Sequence, residues 1–276
     1  MLVKVAGQTG FCFGVKRAIN IAEKTLKEAS QGKGIYSFGP IIHNPQVVDA
    51  LSKKGLRVIK DIKNLGKGTV IVCSHGAPKS VIEKIKKMGS RVIDATCPFV
   101  KYAQDIVSDL KKQEYKIIII GDKQHPEVKA LLSIAENRGT AQNVTRNRAK
   151  KIGIVSQTTQ NKGDYLAAIC QILKQDFREA RIFNTICSDT SRRQALTRRL
   201  LSQCDVMIVV GGKNSANTRR LWQICKESGV GSYHIETDAE LKREYFRGKR
   251  CAGVVSGAST PDSMVKKVVK KIEELS

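Results

Sequence analysis

The segment IIIIGDKQHPE at residues 117–127 joins a short aliphatic run to a polar loop that ends in His-Pro-Glu. Runs of β-branched residues favour strands, and proline is common at the first position of a helix. The same order of strand, small or hydroxyl-bearing loop and amphipathic helix recurs along the chain. The strand-like runs lie at residues 3–6, 70–73, 117–120, 152–155, 206–210 and 253–255. Strands that alternate with helices predict an α/β protein with parallel sheets.

The predicted helices follow these runs. They cover about residues 14–29, 80–88, 164–173 and 262–275, with two more after Glu127 and Asn217. Right-handed crossovers place every strand-to-helix loop at the carboxyl edge of a parallel sheet. Open α/β sheets bind their ligands at this edge, so we expect the functional residues in these loops.

Length and composition narrow the function classes. Of the 276 residues, 41% are apolar, which is ordinary for a globular protein. The longest aliphatic run falls far short of the ~20 apolar residues that span a bilayer, and the N-terminus lacks signal-peptide features. We therefore expect a cytoplasmic protein without a membrane partner.

The net charge of +24 is dispersed over many lysine and arginine residues. This pattern favours a solvated basic surface, and no aromatic-rich RNA-binding motif accompanies it. We expect no nucleic-acid partner, although a nucleic-acid-binding protein is the alternative that the charge alone suggests.

Eight cysteines in a chain without a secretory signal predict reduced thiols. Cys12, Cys97 and Cys187 are separated by 85 and 90 residues, and each follows a strand-like run and precedes a helix. The positive end of a helix dipole favours a thiolate, the ligand of iron–sulfur sites, whereas simple burial is the alternative. The near-equal spacing predicts three similar lobes with approximate boundaries at 1–97, 98–187 and 188–276. The cysteines at 73, 170, 204, 225 and 251 are expected in the core.

The wide cysteine spacing disfavours ferredoxins and zinc ribbons, both of which use closely spaced ligands. Three ligands on a four-iron cluster leave one iron open, and an open coordination position is typical of catalytic metal sites. We therefore favour an enzyme over an electron carrier. A zinc or thiol hydrolase built on the same cysteines and histidines remains an alternative.

Polar residues gather at the same predicted edge. Three histidines follow strand-like or extended runs, and three small polar residues are expected at helix starts, where backbone N–H groups bind phosphate. These residues are His43, His75, His125, Ser215, Asn217 and Ser259. They suit a diphosphate pocket, with N-capping as the alternative for the last three. Glu127 can supply protons if it is buried, or act as a first-turn helix glutamate, and Thr158 and Thr159 can relay protons or cap.

Nine short motifs occur in the order of one known family. They lie at residues 10–15, 42–44, 74–76, 94–98, 125–127, 157–159, 185–187, 213–217 and 256–259. Through them the chain resembles the LytB/IspH family of hydroxymethylbutenyl diphosphate reductases over essentially its whole length. Ala216 departs from the pattern, because many relatives carry serine there, and one hydroxyl donor is therefore missing.

The resemblance implies a three-lobed α/β fold with parallel sheets around a central iron–sulfur site. It implies one [4Fe–4S] cluster with three protein thiolate ligands, Cys12, Cys97 and Cys187. It implies that Glu127 supplies a proton, that Thr158 lies near the substrate hydroxyl, and that the diphosphate is bound by His43, His75, His125, Ser215, Asn217 and Ser259.

The reaction that the resemblance implies is the last step of the non-mevalonate (methylerythritol phosphate) isoprenoid pathway. Two electrons and two protons convert 4-hydroxy-3-methylbut-2-enyl diphosphate into isopentenyl and dimethylallyl diphosphates. A ferredoxin- or flavodoxin-like electron donor is implied as the partner.

Overall fold

The computed structural model describes residues 1–28, 34–141 and 149–275. Its strands are β1 (Leu2–Val5), β2 (Gly34–Phe38), β3 (Leu56–Ile59), β4 (Gly68–Val72), β5 (Arg91–Asp94), β6 (Lys116–Ile120), β7 (Gly139–Ala141), β8 (Lys151–Ser156), β9 (Glu179–Ile182), β10 (Val206–Val210), β11 (Gly231–Ile235) and β12 (Cys251–Ser256). Its α-helices are α1 (Phe13–Lys27), α2 (Pro45–Lys53), α3 (Lys79–Lys87), α4 (Pro98–Lys112), α5 (Pro126–Ala135), α6 (Lys162–Ile172), α7 (Ser188–Leu201), α8 (Ala216–Glu227) and α9 (Asp262–Leu275).

The strands form three four-stranded sheets, with the orders β1-β12-β10-β11, β3-β2-β4-β5 and β7-β6-β8-β9. Every pairing in them is parallel. The predicted α/β class with three parallel sheets is therefore confirmed. None of the helices in the described ranges combines the length and apolar character that a membrane crossing requires.

The chain divides into two compact units, and the first comprises Met1–Phe13, His43–Pro45 and Ser188–Ser276. It contains the sheet β1-β12-β10-β11, in which β10 is buried throughout. Side chains alternate across a strand, so Val206 and Ile208 face α9 while Met207 packs with residues of α7 and α8. The register aligns Val210 with Ser256, so the loops that follow β10 and β12 leave from one edge.

The second unit comprises Gly14–Ile42 and Gln46–Cys187 and contains the other two sheets. In β6 the same alternation sends Ile117 toward α4 and α5 and Ile118 toward α6. Ile120 is in register with Ser156. The loops after β6 and β8 therefore start side by side, as expected from the sequence.

The predicted elements differ from the observed ones mainly at their ends. Helix α9 matches its predicted bounds, whereas α1 begins one residue earlier than expected, and Ala29 at its predicted end lies outside the described residues. The segment 183–187, which reads as strand in the sequence, is a loop, because β9 ends at Ile182. β1 pairs with β12 and so belongs to the sheet of the C-terminal segment, while the lobe boundaries at 97 and 187 stay a prediction.

Candidate active site

Glu127 is a buried carboxylic acid in the first turn of α5. His125 caps this helix and Pro126 is its first residue, so the loop after β6 turns the carboxyl group inward. Glu127 is 1% exposed and accepts hydrogen bonds from the Thr158 N–H at 2.7 Å and the Thr158 hydroxyl at 2.8 Å. Burial raises the pKa of Glu127 to about 7, although both hydrogen bonds from Thr158 favour the charged form. A carboxyl group with this pKa holds a transferable proton at neutral pH.

Thr158 links Glu127 to a cysteine. Its carbonyl oxygen accepts a hydrogen bond from the Cys187 N–H at 2.9 Å, so the loop after β8 holds the end of the segment 183–187. The neighbouring Gln157 amide accepts from the Asp122 N–H at 2.9 Å and donates to the Thr159 hydroxyl at 2.8 Å. Gln157 thereby ties the loop after β8 to the loop after β6, which fixes Thr158 opposite Glu127.

Cys97 occupies the N-cap position of α4, and its N–H donates to the Ser74 carbonyl at 2.9 Å. Burial raises the pKa of the Cys97 thiol, against the opposing effect of the Phe99 and Val100 N–H groups at the start of the helix. The negative charge of Glu127 acts in the same direction as burial. The Cys97 thiol is therefore harder to ionise than a free thiol, and a bound metal centre would favour its thiolate form.

The first turn of α1 approaches the Cys97 sulfur closely. A Cβ atom at Gly14 would lie 2.4 Å from Cys97 Sγ, so only glycine leaves this sulfur its present position. The Arg17 guanidinium, one turn further, donates to the Thr96 carbonyl at 3.0 Å and favours ionisation of the Cys97 thiol. The helix thus adds both space and positive charge beside the sulfur.

His75 and His125 lie edge to face, with ring centroids 5.3 Å apart. The Nδ1 atom of His125 accepts a hydrogen bond from the Glu127 N–H at 3.2 Å. This contact assigns the proton of a neutral His125 ring to Nε2, which is then a donor suited to an anion. Within the second unit the structure therefore brings together Glu127, Thr158, Cys97, Cys187, His75 and His125.

His43 belongs to the first unit, where its carbonyl oxygen anchors the segment His43–Pro45. The Ser259 hydroxyl donates to this oxygen at 3.1 Å, and a Cβ atom at Gly212 would lie 2.5 Å from it. Burial, aided by the positive charge of Arg219, lowers the pKa of the His43 ring. His43 is therefore neutral at physiological pH and offers a hydrogen-bond donor without a fixed charge.

The start of α8 carries Ser215 and Asn217. The Ser215 hydroxyl caps the helix by accepting from the Thr218 N–H at 3.3 Å, as the capping alternative anticipated. Asn217 is 5% exposed, and neither its Nδ2 nor its Oδ1 atom has a hydrogen-bond partner within the described part of the chain. An unsatisfied buried polar group costs about 1–3 kcal/mol, so this amide points to a polar ligand.

Ser259 does not start a helix, contrary to the expectation from the sequence. It lies in the loop after β12, three residues before Asp262, the first residue of α9. Its hydroxyl donates to the His43 carbonyl. The residue remains at the carboxyl edge of the sheet, where the loop after β10 leads to the start of α8.

Cys12 is positioned by Arg193, a residue outside the sequence motifs. Its N–H donates to the Ala258 carbonyl at 3.1 Å. The buried Arg193 guanidinium donates to the carbonyls of Gly10 at 2.9 Å and Ser256 at 3.1 Å, and pairs with Asp189 at 2.7 Å. The i,i+4 spacing of Asp189 and Arg193 on α7 was the available sequence signal, but it is equally typical of exposed helix pairs.

The cysteines divide into two classes. Cys12, Cys97 and Cys187 are half-buried, whereas the thiols at 73, 204, 225 and 251 are buried as predicted. The prediction for Cys170 is wrong, because α6 turns Ile169 and Ile172 toward the sheet and leaves Cys170 exposed on the other side.

Comparison with known proteins gives one consistent result. Residues 3–273 match the family model described as LytB protein. A 4-hydroxy-3-methylbut-2-enyl diphosphate reductase of Aquifex aeolicus is 42% identical, over 98% of this chain and 96% of that protein. A solved structure of (E)-4-hydroxy-3-methyl-but-2-enyl diphosphate reductase, the terminal enzyme of the non-mevalonate pathway, is 41% identical, covers 99% of this chain and 100% of its own, and has a TM-score of 0.69. The Plasmodium falciparum E-1-hydroxy-2-methyl-but-2-enyl-4-diphosphate reductase is 29% identical, covers 98% and 87%, and has a TM-score of 0.91.

Proposed function

This chain belongs to the LytB family, and from that premise we infer that it is a 4-hydroxy-3-methylbut-2-enyl diphosphate reductase. The reaction replaces an allylic hydroxyl by hydrogen, consuming two electrons and two protons, and yields isopentenyl and dimethylallyl diphosphates. One observation carries the chemical part of this conclusion. A carboxyl group with a pKa of about 7 is buried against Thr158, whose backbone holds Cys187.

The proposed cofactor is one [4Fe–4S] cluster on Cys12, Cys97 and Cys187. Three features of the chain fit it: the three thiols are half-buried, Cys97 starts a helix, and Gly14 leaves room beside the Cys97 sulfur. Thiolates at such positions are the ligands that iron–sulfur clusters use. When bound, the cluster supplies the electrons and a Lewis-acidic iron.

The proposed role of Glu127 is to protonate the departing hydroxyl, which then leaves as water rather than as hydroxide. Burial keeps the proton on the carboxyl group until it is needed, and the two hydrogen bonds from Thr158 stabilise the carboxylate that remains. The Thr158 hydroxyl also fixes the orientation of the acid. A pKa near the working pH gives general acid catalysis its greatest effect.

The diphosphate is proposed to bind to histidine rings, hydroxyl groups and an amide rather than to a cluster of lysines. A neutral His125 ring carries its proton on Nε2, and the buried Asn217 amide has two polar atoms without a partner among the described residues. We assign His43, His75, Ser215 and Ser259 to the same role. Donors at helix starts and on packed histidine rings are already in position, so they need little reorganisation when the anion binds.

The proposed electron donor is a small acidic protein of the ferredoxin or flavodoxin type. Phe99 and Tyr102 are exposed large side chains in the first two turns of α4, directly after Cys97, and exposed Lys101 lies between them. An exposed apolar pair with a neighbouring cation is typical of a docking surface, and the net charge of +24 favours an acidic partner. The cytoplasmic location stays a prediction.

The decisive test is turnover of 4-hydroxy-3-methylbut-2-enyl diphosphate by anaerobically purified protein with an artificial reductant. We expect two electrons consumed per product, about four irons per chain, and loss of both iron and activity in C12S, C97S and C187S. The C170S variant is the matched control, because Cys170 is exposed on α6, and it should retain both. Zinc in place of iron, or full activity in the three serine variants, would overturn the proposal.

A second test concerns the donor surface. Phe99→Ser with Tyr102→Ser should weaken the salt-dependent binding of reduced ferredoxin or flavodoxin while leaving turnover with the artificial reductant unchanged. Leu166→Ser is the control, since Leu166 is a comparably exposed apolar residue on α6. Equal binding by all variants would refute the assignment of the docking surface to Phe99 and Tyr102.

A further inference from the structure

Two buried cysteines face each other at the amino ends of neighbouring strands. Cys251 is the first residue of β12, and Cys204 precedes β10 by two positions. Their sulfur atoms are 3.4 Å apart. This pair lies at the edge of the sheet opposite to the loop after β12, which carries Ser259. It is therefore distinct from Cys12, the proposed cluster ligand in this unit.

The backbone around the pair is fixed by hydrogen bonds. The Asp205 N–H donates to the Cys251 carbonyl at 2.9 Å, and the Cys251 N–H donates to the Asp205 carboxylate at 2.9 Å. The register pairs Val206 with Ala252, so the two cysteines are offset by about one residue on adjacent strands. Strand spacing and rise place Cα atoms so arranged about 6 Å apart, within the usual range for disulfides.

The surroundings hold the sulfur atoms together but do not seal them. Leu200, Met207 and Val255 share the hydrophobic cluster of the two cysteines. Cys204 is 8% and Cys251 is 9% exposed, so both residues keep a small accessible surface. This limited exposure favours a small neutral oxidant over a bulky disulfide or a protein active site.

We propose that Cys204 and Cys251 form a peroxide-oxidisable dithiol that closes to an intramolecular disulfide. One thiolate attacks hydrogen peroxide, giving a sulfenic acid and hydroxide, which takes up the thiol proton to become water. The second thiol then displaces a second water from the sulfenic sulfur. In total, two thiols and one hydrogen peroxide give one disulfide and two waters.

The closure requires little movement. The sulfur–sulfur separation must fall from 3.4 Å to about 2.05 Å, a change within the reach of side-chain rotation. Burial and the neighbouring thiol raise the pKa of Cys204, which disfavours its thiolate form at neutral pH. The cross-link would join β10 to β12 across the 47 residues that separate them. It would stabilise this unit against unfolding.

Peptide mapping of the whole protein tests the proposal without reference to activity. Anaerobically purified protein is exposed to hydrogen peroxide, its thiols are blocked with iodoacetamide, and its peptides are analysed by mass spectrometry with and without dithiothreitol. We expect a Cys204–Cys251 cross-linked peptide, lighter by about 2 Da than its two components. It should disappear on reduction, and the oxidised protein should show a higher thermal midpoint. Cys225→Ser is the matched control, because Cys225 lies in the same hydrophobic cluster and should leave the cross-link intact.

Other outcomes overturn the proposal. Separate alkylation or sulfinic acids at Cys204 and Cys251 would show that the pair does not close. A disulfide between Cys12 and either of these cysteines would show that thiols released from the cluster, rather than the closeness of Cys204 and Cys251, determine which bond forms. Because the measurement uses the wild-type protein, it does not depend on whether Cys204→Ser folds.

Discussion

Replacing Glu127 with glutamine should change how the stability of the protein depends on pH. Burial raises the pKa of this carboxyl group from 4.5 to about 7 in the folded protein. The folded state therefore holds the proton more tightly than the unfolded state does. The stability that this proton contributes is fully present below pH 4.5 and is lost as the pH rises through 7.

The magnitude follows from the size of the shift. A rise in pKa from 4.5 to about 7 corresponds to about 3 kcal/mol. Most of this loss, about 2 kcal/mol, falls between pH 5 and pH 8. Glutamine is nearly the same size and keeps an oxygen acceptor for the Thr158 N–H, but it does not ionise, so Glu127→Gln should escape this loss.

Urea unfolding of the wild type and Glu127→Gln at pH 5, 6, 7 and 8 measures the effect. The free energy of unfolding of the variant minus that of the wild type should rise by about 2 kcal/mol across this range. Glu83→Gln is the control, since Glu83 is exposed on α3 and its difference should stay flat. A flat difference for Glu127→Gln as well would refute the conclusion that burial controls this acid. Turnover should fall by about 100-fold or more, in keeping with the loss of a general acid.

Four further results are expected. Thr158→Val removes the hydroxyl donor to Glu127, so the pKa of Glu127 and the alkaline limb of the kcat profile should move upward, while Thr158→Ser should restore both. Gly14→Ala forces a Cβ atom against the Cys97 sulfur and should reduce iron content several-fold, whereas Gly231→Ala, with no atom within 4 Å of the added carbon, should not. Arg193→Lys loses the guanidinium fork that holds the chain before Cys12, so cluster retention, measured by absorbance, and the thermal midpoint should both fall. Asn217→Leu should raise the KM for the diphosphate substrate about tenfold or more without lowering the urea midpoint, because it removes two polar atoms that have no partner among the described residues.

The sequence was sufficient for the fold and for the loops that carry the polar residues. Alternating β-branched runs and amphipathic helices allow only a small set of layered α/β arrangements, and crossover handedness then fixes the edge to which the loops belong. The sequence does not predict edge strands such as β9, which contains Glu179 and Arg181, because half-exposed strands lack a continuous apolar run. The sequence also predicts a strand at residues 183–187, where the structure has a loop.

The side-chain environments were less predictable, because burial is a property of the packed chain. The His-Pro-Glu sequence fits an exposed first-turn glutamate as well as a buried acid, and only the folded loops show Thr158 against Glu127. The same holds for Asn217, whose type suggests capping but whose position leaves both amide atoms unsatisfied. Cys170 was expected in the core but is exposed, because its neighbour Ile169 is the residue of α6 that faces the sheet.

Glu127 and Asn217 share an energetic property that argues for ligand binding over structure. The buried acid lowers stability by about 3 kcal/mol when it is ionised, even with both hydrogen bonds from Thr158. The amide, unsatisfied within the described residues, lowers it by about 1–3 kcal/mol for each group. Under the proposed function, a diphosphate oxygen would satisfy the amide, and the acid would give its proton to the leaving hydroxyl. The substrate would then offset the energetic cost of both residues, which is the expected relation between stability and activity at a preorganised site.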